Sequence, residues 1–278
     1  MGTLLLLRFN KKIPLDLTRI FGVYCHVSGA ELSVFDIEKA PLKEIFTRIL
    51  PLKESLIFGP YFLPKKVVTW KNVSSDVIAA VLGPNEVQGI SNPVIDFDPA
   101  WPSPCWGVMK ERIPINCLYK PKGLVEMIGD NTILLKPIIN LLGSNKVGRI
   151  TNTVQFKGEL LKDWFGFSFN HPCNIISHIC FGKPEKCVQC NSSYTSWRGV
   201  WVGNHSQINN CEVCLDVSGY EHCESRHPIL VSNEKAAEIS KIFPKKGYNL
   251  EPVYNISSNY GKVIAFICDF IDNNFSSL

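Results

Sequence analysis

The chain has 278 residues, 45% of them hydrophobic and 19% charged, with a formal net charge of +4. That apolar content excludes a disordered chain, and the length is enough to bury a sizeable core in one large or two ordinary domains. A charge of +4 spread over such a surface permits a nucleic-acid partner without demanding one, and no apolar run is long enough to span a membrane.

The opening MGTLLLLRFN holds only a short apolar run, Leu4 to Leu7, before Arg8, which is too brief for a signal-peptide core. With an odd count of 11 cysteines, this predicts a soluble, cytoplasmic protein without a disulfide framework. Thr3 to Phe9 reads as a buried first strand. After Pro14, Leu15, Ile20 and Val23 have roughly helical spacing and predict a helix over 15–25, closed by Gly29. A second helix is predicted over 41–50, with Leu42, Ile45, Phe46 and Ile49 on one face. Lys65 to Trp70 reads as a strand, and Ser74 as the cap of a helix through Leu82. Residues 83–107 are rich in Pro, Gly, Asn and Trp and predict a long irregular loop, whose Trp-rich part at 98–106 suits either a protein interface or a packed loop.

Val108 to Tyr119 and Gly123 to Ile128 are strand candidates. Asp130 or Asn131 then caps a predicted helix running to Leu142, followed by the loop GSNKVGR at 143–149. A strand over 150–157 alternates Ile150, Asn152, Val154 and Phe156 with Thr151, Thr153 and Gln155. Beyond the cysteine-rich region, a helix is predicted over 233–243 and a last apolar strand over 262–270.

Cys187-x2-Cys190 and Cys211-x2-Cys214 are the most specific motif. Two such pairs, twenty residues apart, suit two turns that each aim two thiolates at one tetrahedral zinc, and the spacer is long enough for a hairpin. This is a zinc-ribbon signature. A set of four thiolates leaves no open position, so the predicted role is structural. The alternatives are buried thiols or two disulfides. Cys180, Cys223 and a neighbouring histidine are candidates for a second metal, against a reading as core thiols and surface imidazoles.

Gly143, Lys146, Gly148 and Arg149 join a helix to a strand. Glycines let a backbone approach a phosphate and the cations supply charge, although the same pattern suits an ordinary tight connection. It differs from a nucleotide-binding P-loop, since Lys146 does not follow a glycine. Lys65, Lys66, Trp70 and Lys71 form a second basic and aromatic cluster, readable as an RNA contact or as an edge strand protected by lysines.

The run IPINCLYKPKGLVEMIGD at 113–130, then ILLKPIINLLGSNKVGRITNTVQF at 133–156 and LLKDW at 160–164, resembles the second half of a RAMP-superfamily CRISPR subunit of the Cas-five family. Asp163 and Trp164 sit where that family often carries an acidic residue and a tryptophan. The resemblance implies an α+β fold with a ferredoxin-like (RRM/RAMP-type) domain over 1–170. To this are added a zinc-ribbon region over 171–232 and a C-terminal helix and strand over 233–278. It implies a subunit that grips the 5′ handle of crRNA and caps a filament of backbone RAMP subunits, touching target nucleic acid only indirectly. Single-stranded RNA calls for phosphate contacts and ring stacking. No nucleophile, paired-carboxylate or metalloprotease motif is present, and nothing in sequence orients His26, near Tyr24, as a general base, so a non-enzymatic role is predicted. The rival reading is a zinc-ribbon DNA-binding or transcription-linked protein using Lys186, Trp197, Arg198 and Trp201.

Overall fold

The computed structural model describes residues 3–13, 16–64, 69–84, 114–117, 119–128, 131–170, 172–183, 185–186, 193–194, 197–208, 212–216, 228–243 and 247–275. The fold is mixed α+β. The chain begins with β1 (Leu4–Phe9), α1 (Asp16–Phe21), β2 (Cys25–Ser28), β3 (Glu31–Val34), α2 (Leu42–Ile49) and β4 (Leu56–Leu63). The second helix falls where apolar spacing puts it. The first is shorter than the expected 15–25: it ends at Phe21, Cys25 already belongs to β2, and Leu17 is its buried residue, while Ile20 and Val23 are exposed. Gly29, at φ +63°, makes the turn between β2 and β3 rather than ending a helix. The sheet order is β2-β3-β1-β4, with every neighbour antiparallel. Since β1 and β2 both oppose β3, they run parallel with β3 between them, which is a split β-α-β arrangement. Leu5, Leu7, Phe9, Leu32 and Val34 are buried on one face, together with Ile45, Phe46 and Ile49 of α2.

The segment after Ser74 is not a helix. The Ser74 hydroxyl accepts the Asp76 N–H (3.3 Å) and its carbonyl accepts that of Val77 (2.9 Å), so the serine shapes a turn into a strand, β5 (Val77–Gly83). Ala79 and Val81 join one apolar cluster while Ala80 and Leu82 join another. A strand covered on both faces reads as a continuous apolar run, which periodicity alone does not separate from a buried helix.

Next come β6 (Ile115–Cys117), β7 (Val125–Ile128), β8 (Asn131–Leu135), α3 (Lys136–Leu142), α4 (Ser144–Val147), β9 (Gly148–Phe156) and β10 (Glu159–Phe169), in a five-stranded sheet of order β6-β9-β10-β8-β7. The helix expected from 130 begins only at Lys136, with Pro137 in its first turn, where a missing N–H costs nothing. Residues 131–135 pair instead with β7 and β10. β8 and β9 both oppose β10, so β8-α3-β9 is a second split β-α-β unit, and β7 stands beside β8 as β4 stands beside β1.

The remaining elements are β11 (Pro172–Cys173), β12 (Glu185–Lys186), β13 (Ser193–Tyr194), β14 (Trp201–Gly203), α5 (His205–Ile208), β15 (Val213–Asp216), β16 (Ile229–Val231), α6 (Asn233–Ile242), β17 (Asn249–Asn255) and α7 (Asn259–Asn274). A six-stranded sheet of order β11-β15-β16-β5-β17-β14 weaves the cysteine-rich region together with β5 and β17. The stretch expected as a final strand at 262–270 lies inside α7. Ser258 caps this helix by accepting the Gly261 N–H (3.0 Å), and Tyr260, Ile264, Ile267, Cys268 and Ile271 form its buried stripe. Phe270 stacks on Phe46 (4.9 Å), and the Thr3 hydroxyl bonds Tyr260 Oη (2.7 Å), so the first and last elements share one core. A second core lies between this sheet and α3 and α6. Among the described residues, no helix is long and apolar enough to cross a membrane.

Candidate nucleic-acid interface and metal residues

The glycine segment closes the second split unit. Gly143 sits at φ +84°, in the left-handed position that ends α3, and donates to the carbonyls of Ile139 (3.2 Å) and Asn140 (3.3 Å). Gly148 opens β9 against β10, where an added Cβ would lie 2.8 Å from Phe167 Cζ and closer still to the Ser168 carbonyl oxygen. Both glycines therefore have a backbone or packing role. Where a loop was expected, Lys146 lies on the short helix α4 and Arg149 on the start of β9; both are exposed and make no ion pair among the described residues, which leaves two cations free to meet an anion.

The second cluster divides. Lys65 and Lys66 lie outside the described residues. Residues 69 and 70 are not in a strand, and the strand near this place is β4, which ends at Leu63. Trp70 is half-buried and packs between the two large cores, so its ring is committed to packing, while Lys71 is exposed. Trp70 and Val147, the neighbour of Lys146, border the same core cluster.

Of the four predicted zinc ligands, Cys187, Cys190 and Cys211 lie outside the described residues. Cys214 is buried on β15, opposite Leu230 of β16. Cys187 and Cys190 fall in sequence between β12 and β13, which pair with each other. Among the described residues no group of three or more His, Cys, Asp or Glu is arranged to hold a metal. Of the second-metal candidates, Cys223 lies outside the described residues. Cys180 Sγ accepts the Val202 N–H (2.8 Å) and lies 3.3 Å from the Val202 carbonyl, which places it in the backbone lattice of the core. His26 is exposed on the edge strand β2, across from Ser33.

The residues of the rival DNA-binding reading are largely internal. Arg198 is 4% exposed, and its Nη2 binds both Asp272 carboxylate oxygens at 2.7 and 2.8 Å. Lys183 Nζ donates to the Asp272 carbonyl near the end of α7, where cations meet the negative end of the helix dipole. Trp197 stacks on Trp201 (5.3 Å), and the Trp201 Nε1–H donates to Glu251 (2.5 Å). Burial raises the Glu251 pKa, and the tryptophan bond offsets part of that rise.

Sequence reading missed the aromatic row that starts on β4. Phe58 lies 5.7 Å from Tyr61, and Tyr61 meets Trp197 edge-on at 6.2 Å. The register of β1 against β4 slips between Leu6 and Arg8, so Tyr61 pairs with Leu6 and Phe58 with Arg8. That bulge puts two rings three residues apart on one face. The Gly59-Pro60 pair inside an apolar run was the available signal.

In comparisons with protein families, curated proteins and solved structures, nothing matches this chain.

Proposed function

We propose that this chain is a single-stranded-RNA-binding subunit of a multisubunit ribonucleoprotein, of the RAMP type its sequence resembles. Its parts would be ferredoxin-like units and a four-thiolate zinc site at Cys187, Cys190, Cys211 and Cys214. The observation that carries the reading is topological. The β-α-β-β-α-β order with sheet order β2-β3-β1-β4 supports a ferredoxin-like connection, and β8-α3-β9-β10 repeats its first half with the same strand order. Such units present an antiparallel sheet and the turns at its ends to a single strand. In this reading Lys146 and Arg149 contact phosphates of the crRNA 5′ handle, and the remaining surface seats a backbone RAMP subunit.

The rival reading, a DNA-binding zinc ribbon, has less support, because Arg198 is spent on Asp272 inside the fold and has no surface to offer a phosphate. The test is purification of the tagged chain from its own host, followed by extraction and sequencing of bound nucleic acid. A discrete small RNA with a common 5′ end is the expected result, with affinity falling steeply as salt rises. Recovery of no small RNA overturns the reading.

A further inference from the structure

The first sheet has two unlike faces. Leu5, Leu7, Phe9, Leu32 and Val34 face the helices. The other face is set by register. Leu4 pairs with Leu63, Leu6 with Tyr61 and Arg8 with Phe58, and partners across an antiparallel ladder point the same way. Phe58 and Leu63 are 48% and 44% exposed, and Leu4, Leu6 and Tyr61 are half-buried. A soluble surface rarely sets that many apolar side chains in one row without a use for them.

The surroundings of this row select its occupant. Arg8 lies across from Phe58, and Lys11 and Lys12 follow β1. Lys53 reaches the same end of the sheet, because the Asn10 N–H bonds the Ser55 carbonyl there (2.7 Å). All four are exposed, against the exposed acids Glu31 and Glu54 and the half-buried Glu251, whose charge acts on Tyr61; among the described residues only Arg8 of the four has an acidic partner, Glu31 at 3.7 Å. Rings beside an excess of cations fit a flexible polyanion with flat apolar groups better than they fit an apolar protein face.

We propose that single-stranded RNA lies along β1 and β4 on this open face, with bases stacked on Phe58 and Tyr61 and phosphates met by Arg8, Lys11, Lys12 and Lys53. This rests on the RNA reading above and moves its principal contact from the glycine turn to the first sheet. Tyr61 is held by Trp197 and offers a fixed ring, while Phe58 is the freer platform.

The test is fluorescence anisotropy with a labelled ten-nucleotide oligouridine and a mixed-sequence RNA of equal length, at several salt concentrations. Phe58→Ala weakens binding about 5- to 150-fold, and Phe58→Trp restores it. Lys11→Glu with Lys12→Glu lowers the slope of log affinity against log salt by about 1.4, or about 0.7 per phosphate contact. Unchanged binding in Phe58→Ala, with loss in Lys146→Glu plus Arg149→Glu, overturns this placement and leaves the RNA reading intact. No binding by the unaltered chain, and no RNA on purification, overturns both. A change from dimer to monomer in Phe58→Ala on sedimentation, without an effect on RNA, also overturns the proposal and assigns the face to a second copy of the chain.

Discussion

Removing the Asp272 carboxylate tests whether the cysteine-rich region is pinned to the C-terminal helix. Arg198 is 4% exposed, and its two bonds to Asp272 are made by one nitrogen, while Nε and Nη1 have no partner among the described residues. Asp272→Ala therefore strands a buried guanidinium, a change that costs ~3–5 kcal/mol in buried pairs. Asp272 is itself 30% exposed, so water recovers part of that and the expected loss is ~3 kcal/mol. Arg198→Met removes the cation and keeps the packing of its stem. The carboxylate it leaves turns to solvent, for a loss of ~1 kcal/mol. The two substitutions are therefore unequal, and the double variant is more stable than Asp272→Ala alone. Urea unfolding at neutral pH measures all three, and the melting temperature of Asp272→Ala should fall by ~6–12 °C, at ~2–4 °C per kcal/mol. If Asp272→Ala proves no worse than Arg198→Met, the guanidinium is hydrated in solution and the pinning argument fails.

Three other outcomes follow from particular contacts. Gly148→Ala forces β9 away from Phe167 and the Ser168 carbonyl and should destabilise by ~1–3 kcal/mol, whereas Lys146→Glu, on the exposed side of the same turn, should stay within ~0.5 kcal/mol by denaturant titration. Glu251 has its pKa raised by burial, so the folded state holds its proton more tightly than the unfolded state and loses stability as pH rises through the folded value. Glu251→Gln keeps an acceptor for the Trp201 N–H, so its melting temperature should match the parent in acid and exceed it progressively above the usual carboxylate range. For the proposed zinc site, elemental analysis should find one zinc per chain. Cys187→Ser or Cys211→Ser should lower that content together with thermal stability, and full stability without metal would refute a structural role.

The elements legible in sequence are those with one dry face. Leu42, Ile45, Phe46 and Ile49 repeat with helical period because one side of α2 meets solvent, whereas β1, with four consecutive leucines, is legible only as a short apolar run between polar flanks. Where both sides are covered the signal fails. β5 and α7 were exchanged because VIAAVL and VIAFI are equally apolar, although Ser258 and the spacing of Tyr260, Ile264, Ile267 and Ile271 marked the helix. The segment expected as a loop at 143–149 is instead a left-handed glycine, the short helix α4 and the first two residues of β9, and its glycines answer to a helix end and to a neighbouring phenylalanine. The topology of the first sheet follows from strand pairing between residues some thirty to sixty apart, such as Leu5 with Val34 and with Phe62. No local pattern encodes such partners.

The shared core of first and last elements has a consequence for synthesis. Phe9 and Phe46 are finished by Phe275 and Phe270, which leave the ribosome about 200 residues after β4 does, or ~10–40 s later at ordinary elongation rates. For that interval the nascent amino-terminal half keeps an oily flank without its cover. Chains cut short before α7 should be sticky and in need of chaperone custody, and an affinity tag at the carboxyl end will select for molecules that have closed.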